Sequence, residues 1–419
     1  MSLEKYRAEM EMCCRCSACK FVPLEIVKGF DYVNVCPSIS CYNFHAYSGG
    51  GRLGIGVALL EKEIGYSDKL LEVVYNCQMC GGCDVSCKYA MDMDVLEPLY
   101  GIRQACVENG LIAPVFDTII SSLKKDNTMM PGAKQDRANW SEGLAIKDFT
   151  RQKAEVAFHV GCRTCYDRAL WPVARSSITL MQKAGMDVGI NPHEFCCGGR
   201  AYQIGFREES VKQLKQNMAI MKKAGVKMLV TACAECYHAF KVLGDKFGLR
   251  DGLEVLHTSE LFSRLINEGK LTPKKKMDIT VTYHDPCHLG RLGEPHIPWQ
   301  GKQIPGHIRL FDPPREFRRG TYGVYGPPRE LLKSIPGLKL QEMKRTREFA
   351  WCCGAGGGVA EFNPQFAAWT ARERIREAEA TGAETLVTAC PGCETALRQA
   401  AQGTSLKVLD LMEMLASVL

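Results

Sequence analysis

The sequence predicts a mixed α+β and α/β chain: a cysteine-rich N-terminal segment followed by two pseudo-symmetric α/β units. Three observations carry this reading. The first is an internal repeat. "GVKMLVTACAEC" (225–236) and "GAETLVTACPGC" (382–393) match at seven of twelve positions, and upstream of them "FCCGG" (195–199) answers "WCCGA" (351–355). The second is the order of elements in each copy, in which a helical pattern is followed by a short β-rich run. The third is a separate block of closely spaced cysteines before residue 90.

The elements follow in order. Residues 1–110 hold the early cysteine block, and residues 111–153, of mixed polarity, read as a partly helical linker. The first α/β unit is expected over 154–277 and the second over 278–419. "EVAFHVG" and "DITVTYH" are apolar, β-rich runs, as are "KMLVTA" and "ETLVTA". Before the latter two come the helical stretches "REESVKQLKQNMAIMKKAG" and "PQFAAWTARERIREAEATG", each closed by a glycine, Gly225 and Gly382, which favours a helix stop. Helix then strand, repeated, implies a parallel layer. The cysteines fall at the C-terminal ends of strands, where open α/β sheets bind ligands. Each C-x2-C is expected to open a helix whose dipole favours thiolates.

Composition narrows the chemistry. The chain has 419 residues, 22 cysteines and a formal net charge of +6. The start, "MSLEKYRAEMEMCCRC", has no apolar core of a secretory signal, and no run of about eighteen apolar residues suggests a membrane span. The expectation is a cytoplasmic protein, any attachment to a membrane being through partners, whose cysteines hold metal instead of disulfides. The basic runs "KKK" (274–276) and "REFRR" (315–319) read as solvated surface, and no nucleic-acid partner is inferred.

The early block gives Cys13-x2-Cys16-x2-Cys19 with Cys36 before Pro37, then Cys77-x2-Cys80-x2-Cys83-x3-Cys87. This is the spacing of cubane [4Fe–4S] sites, in which the fourth cysteine of each motif serves the other cluster. The expected sets are Cys13, Cys16, Cys19 and Cys87, and Cys77, Cys80, Cys83 and Cys36. Cys14 stands as an alternative to Cys13, and Cys41 to Cys36. Structural zinc prefers two separated cysteine pairs. "GGGRLG" (49–54) fits G-x-G-x-x-G without the preceding strand of a nucleotide site, and reads as a glycine loop near the clusters.

In the repeat, the unit is one cysteine, an adjacent pair, then C-x2-C. The first copy uses Cys162, Cys196, Cys197, Cys233 and Cys236, and the second Cys287, Cys352, Cys353, Cys390 and Cys393. Adjacent thiolates can bind different irons of one compact cluster, and Gly198, Gly199 and Gly354 would let backbone approach it. His159 and His284 each precede a cysteine by three residues. They are candidate proton donors, or simply hydrogen-bond donors to a thiolate. Cys106 reads as a buried helix cysteine.

The repeated Cys…Cys-Cys…C-x2-C unit resembles the cysteine-rich CCG domain of heterodisulfide reductase. The whole chain is similar to the D-subunit-like relatives of that enzyme, built from an α-helical ferredoxin-like domain and two CCG domains. The resemblance implies two cubane [4Fe–4S] clusters and two noncubane [4Fe–4S] clusters, one on each five-cysteine set. It also implies an iron–sulfur electron-transfer subunit of a larger anaerobic redox complex, passing electrons from a flavin or ferredoxin partner through the cubanes to the CCG clusters. The alternative is a heterodisulfide reductase-type catalytic subunit that reduces or forms a disulfide there. One departure stands out. Cys162 and Cys196 are separated by 33 residues, but Cys287 and Cys352 by 64. The extra segment, about 295–325, is rich in proline and basic residues, and is expected to cover a cluster, shape a pocket, dock a partner, or lie on the surface as a plain insertion.

Overall fold

The structure is a computed structural model that describes residues 3–27, 29–304 and 310–419. The described part of residues 3–110 is helical, with a single isolated β-bridge between Phe21 and Asn34. Its helices include Pro37–Tyr42, Gly49–Leu60, Gly82–Met91 and Leu96–Glu108. Ser48 caps the second of these by accepting a hydrogen bond from the Gly51 N–H at 2.9 Å. The "GGGRLG" stretch is therefore the first turn of a helix, not the glycine loop expected from sequence. Its glycines let that turn pass close to sulfur: a Cβ on Gly50 would sit 3.1 Å from Cys13 Sγ.

Two parallel sheets follow. The first contains β1 (Lys147–Asp148), β2 (Val156–Phe158), β3 (Val188–Ile190), β4 (Met228–Thr231) and β5 (Glu254–His257), in the order β1-β3-β2-β4-β5. Next come β6 (Thr280–His284) and a small antiparallel pair, β7 (Lys302–Gln303) with β8 (Phe311–Asp312). With β9 (Lys339–Leu340), β10 (Thr385–Thr388) and β11 (Lys407–Asp410), β6 forms the second sheet, in the order β11-β10-β6-β9. The core of both sheets has one strand order: β3-β2-β4-β5 in the first matches β9-β6-β10-β11 in the second. The sequence repeat is thus a repeat of topology. The central strands are buried along nearly their whole length, as parallel strands covered on both faces must be.

The helices before β4 and β10 are Arg207–Ala224 and Pro364–Glu379, and Gly225 and Gly382 have φ of +71° and +73°. Within 111–153 lie a helix, Pro114–Asp126, and the edge strand β1, so this segment packs onto the first sheet. Residues 305–309 of the 295–325 insertion lie outside the described residues.

One buried side chain ties the three parts together. Arg103, on helix Leu96–Glu108, is fully buried. Its Nη1 donates to the carbonyls of Gln203 (2.8 Å) and Gly357 (2.6 Å), and its Nη2 to those of Val74 (3.1 Å) and Cys77 (2.6 Å). Arg103→Ala would leave four carbonyls without a donor. It should destabilise the chain by at least about 3 kcal/mol in anaerobic denaturant titrations. A loss below about 1 kcal/mol, the size of an ordinary surface change, would show that the joint does not depend on it.

Candidate iron–sulfur centres

Sulfur atoms converge in four places. Cys13, Cys14, Cys16, Cys19 and Cys87 line one pocket near the N-terminus. Cys87 thus stands with the first motif although its own motif is the second. Cys14 is exposed, whereas Cys13 lies against Gly50 with Cys19. The second place gathers Cys36, Cys77, Cys80 and Cys83: the charges that act on Cys83 come first from Cys36 and Cys77, and Cys36 feels Cys77 and Cys80. Cys36 is the N-cap of helix Pro37–Tyr42, while Cys41 sits further along that helix and is partly exposed. Cys106 is buried in its helix.

Each CCG-like set forms a chain of sulfur contacts. In the first, Cys162 meets Cys196, Cys196 meets Cys197, Cys197 meets Cys236, and Cys236 meets Cys233. In the second, Cys287 meets Cys352, Cys352 meets Cys353, Cys353 meets Cys393, and Cys393 meets Cys390. The local backbone explains the arrangement. Cys233 and Cys390 are the N-caps of helices Ala234–Tyr237 and Pro391–Ala400, so free N–H groups face the sulfurs. The Gly198, Gly199 and Gly354 N–H groups donate to Cys196, Cys197 and Cys352 Sγ at 3.5, 3.5 and 3.3 Å. Gly198 and Gly354 have φ of +80° and +91°, and their missing Cβ atoms would strike the backbone of Ser210 and Ala367. These two glycines therefore serve the turn and the helix packed behind it, and what they offer the sulfurs is N–H groups.

The electrostatics call for a cation. Burial pushes the Cys36 thiol up to about 12, and also raises Cys83 and Cys87, whose ionisation their cysteine neighbours oppose further. Cys197 alone in its set is held down, to about 6, by hydrogen bonds from Cys196 and Cys236. So many buried thiols cannot ionise together unless positive charge lies among them. All 22 cysteines are free of disulfides. Converging, crowded, buried sulfurs of this number suit iron–sulfur clusters.

The four places are also linked. Cys80 is in hydrogen-bond contact with Cys352, and Cys233 with Cys390. The first contact is framed by close backbone packing. A Cβ on Gly356 would lie 2.6 Å from Gln78 O, and one on Gly357 2.5 Å from Cys77 O. Arg291 clamps the same seam by donating to the carbonyls of Cys80 (2.7 Å), Glu348 (2.6 Å) and Ala350 (2.7 Å).

The two histidines occupy equivalent strand ends but differ in chemistry. His159 Nδ1 lies 3.2 Å from Glu194 Oε2. A carboxylate only accepts, so Nδ1 carries the proton and the buried Nε2 presents a lone pair. His284 Nδ1 instead accepts from Arg374 Nε at 3.0 Å, which fixes the neutral ring's proton on Nε2. One ring nitrogen of His284 and the sulfurs of Cys353 and Cys393 lie within 4.8 Å of one another. With Nδ1 taken by Arg374, the atom left for them is an N–H, which suits a donor to sulfur and not a zinc ligand. Sequence reasoning missed Glu194, Arg374 and Arg137. Arg137 Nη2 is 3.4 Å from Cys162 Sγ and 3.2 Å from Glu194 Oε1. Glu194, two residues before the cysteine pair, was the one with a local signal.

Comparisons with known proteins bear on the chain as a whole. Residues 156–241 and 315–398 each match the family model of the CCG cysteine-rich domain. These two copies define the class, a chain with a duplicated CCG domain. The chain is similar to iron–sulfur oxidoreductases, among them D subunits of heterodisulfide reductase. It is 29% identical to the D subunit of the dihydromethanophenazine:CoB–CoM heterodisulfide reductase of Methanosarcina mazei, over 98% of this chain and 94% of that one. It is 25% identical to the EtfAB:quinone oxidoreductase of Syntrophomonas wolfei, over 85% of this chain and 48% of that one. A crystal structure of a hypothetical protein from Helicobacter pylori shares the fold, with a TM-score of 0.53 and 13% identity over 88% of this chain and 67% of that one. No helix among the described residues is long and apolar enough to cross a membrane.

Cys87→Ser should disturb the centre formed with Cys13, Cys16 and Cys19 and spare the one formed with Cys77, Cys80 and Cys83. Electron paramagnetic resonance of the anaerobically purified variant separates the two outcomes, and loss of the second signal would reject crossed ligation.

Proposed function

We propose that this chain is the electron-transfer subunit of a larger anaerobic redox complex, taking electrons from a flavin or ferredoxin partner. Cys13, Cys16, Cys19 and Cys87 would hold one cubane [4Fe–4S] cluster, and Cys36, Cys77, Cys80 and Cys83 the other. Cys162, Cys196, Cys197, Cys233 and Cys236 would hold one noncubane cluster, and Cys287, Cys352, Cys353, Cys390 and Cys393 the second. Bound there, the clusters supply one-electron carriers. The observation that supports the reading best is the pair of sulfur contacts between sets, Cys80 with Cys352 and Cys233 with Cys390. Together with the action of Cys19 on Cys83, they join the partly exposed N-terminal cysteines to the first CCG set in one series. Protein residues do the remaining work. Helix N-termini and glycine N–H groups stabilise thiolate charge, Arg137 adds a guanidinium beside Cys162, and most cysteines outside the N-terminal centre are buried.

A second reading, a heterodisulfide reductase-type catalytic subunit, is favoured by His284, whose Nε2–H faces the sulfurs of the second set. In that role His284 would stabilise by an Nε2–H hydrogen bond the thiolate leaving a cleaved disulfide, whereas His159, with its proton directed to Glu194, would offer only an acceptor in the first half.

Two measurements test these readings. The anaerobically purified protein should contain about sixteen irons and little zinc per chain. A count near eight would mean that the CCG sets do not hold clusters, and stoichiometric zinc would reject the iron–sulfur assignment at the zinc-bearing sites. Small disulfides should leave the cluster spectra of a pure relay unchanged, whereas a clear spectral response would transfer preference to the catalytic reading.

A further inference from the structure

The 295–325 insertion lengthens the second half relative to the first and supplies no cysteine, yet it is built around one guanidinium. The Arg315 guanidinium lies 5.2 Å from the centre of the Trp299 ring, 5.7 Å from that of Phe311 and 4.8 Å from that of Phe317. The rings also meet each other edge-on, Trp299 with Phe311 at 5.5 Å and Phe311 with Phe317 at 5.7 Å. Trp299 Nε1 donates to the Pro313 carbonyl at 3.0 Å, which closes the group. Three aromatic rings around one cation hold it in a fixed direction.

That direction is toward the N-terminal domain. Arg315 pairs with Asp94, which is only 5% exposed, and lies 3.6 Å from Glu9 Oε1. Asp94 follows Cys87 in the chain, and Glu9 precedes Cys13. These are the two segments whose cysteines meet in the N-terminal centre, although they belong to different motifs. The segment after Cys87 presents its side chains in alternation. Met91, Met93 and Val95 line the pocket of Cys13, Cys16 and Cys19, while Asp92 and Asp94 pair with Arg319 and Arg315 of the insertion.

The charges continue inward to the residue beside Cys87. Lys88 is buried between Asp94 (2.8 Å) and Asp84 (2.7 Å). Asp84 in turn accepts the Val95 and Leu96 N–H groups at 2.7 and 2.9 Å. Arg315 is thus the outer cation of a row of alternating sign: Arg315, Asp94, Lys88, Asp84. Without it, two buried carboxylates would share the single charge of Lys88. The insertion is rooted in the second CCG domain, where Glu294 accepts the Gly320 N–H at 2.7 Å. Its backbone also lies on helix Gly82–Met91, since a Cβ on Gly320 would be 3.1 Å from Val85 Cγ2.

We infer that Arg315 is a positioning residue for the N-terminal centre, and that the insertion is the brace that delivers it. From the second CCG domain it fastens the segment before Cys13 to the segment after Cys87, and so keeps Cys87 with the cysteines of the other motif. The inference rests on the proposed cubane at Cys13, Cys16, Cys19 and Cys87, and adds a requirement that lies outside every cysteine motif.

The test uses the full-length, anaerobically purified protein with its iron in place. Electron paramagnetic resonance follows each centre while an excess of an iron chelator is present, so the loss of each signal reports local opening. Arg315→Gln should speed the loss of the N-terminal centre by about tenfold or more, because it strips a partner from a buried carboxylate, and should leave the other centres at the wild-type rate. Asp94→Asn should act in the same direction. The double variant should be no faster than the faster single variant, as one shared interaction requires. Arg315→Lys, which keeps the charge but not the planar fork, should fall between wild type and Arg315→Gln. A wild-type rate in Arg315→Gln, or effects of the two substitutions that multiply, would overturn the brace. Equal acceleration at every centre would overturn it too, since that is a general loss of stability. Failure of the cubane assignment is distinct: the N-terminal signal would then be missing from the wild-type protein before any substitution.

Discussion

The architecture depends on a single buried guanidinium. Arg103 spends its donors on carbonyls from the N-terminal helical part, the first CCG domain and the second. A buried arginine normally demands a carboxylate, and here carbonyl dipoles take that place. The consequence is positional. The Cys77 carbonyl is one of its partners and the Gly357 carbonyl another, so the second cubane motif and the glycines after Cys353 share one anchor. The sulfur contact between Cys80 and Cys352 lies within that frame.

Much of this was legible in the sequence, for identifiable reasons. The repeat was written in matching residues because both halves bury the same strand ends and present the same sulfurs, so "LVTAC" recurs as β4 and β10 with their following cysteine. The helices before those strands were bounded by Gly225 and Gly382, where φ is positive. The class of chain followed from the cysteine spacing. Local pattern failed where a residue acts at a distance. Arg137 reaches the Cys162 sulfur and Arg374 the His284 ring from elements with no motif of their own, and nothing within a few residues of them signals it. The "GGGRLG" stretch misled because glycines usually break helices. Here close approach to sulfur outweighs their entropic cost.

Within the pseudo-symmetric pair, the histidines show how a duplicated scaffold can diverge without moving its backbone. Glu194 turns one imidazole so that a lone pair faces outward, and Arg374 turns the other so that a proton does. The strand-end clamps differ in the same manner. Glu194 accepts the Val160 and Gly161 N–H groups in the first half, while in the second Asp285 pairs with Arg329 and accepts the Arg347 N–H. Both halves therefore keep a carboxylate at the cysteine-bearing strand end, drawn from different places in the chain.

The glycines at 356 and 357 carry one more implication. Their missing side chains let the backbone of the second half lie directly on Cys77 and Gln78. The corresponding stretch of the first half, "RAYQ" after Gly199, carries side chains and builds a helix instead. The copies are alike in topology yet not interchangeable. Exchanging their order along the chain would keep every strand and every cysteine, but would present the N-terminal domain with a face too bulky to seat it. Duplication supplied two equivalent domains, and shaving one of them down to bare backbone gave the molecule a direction.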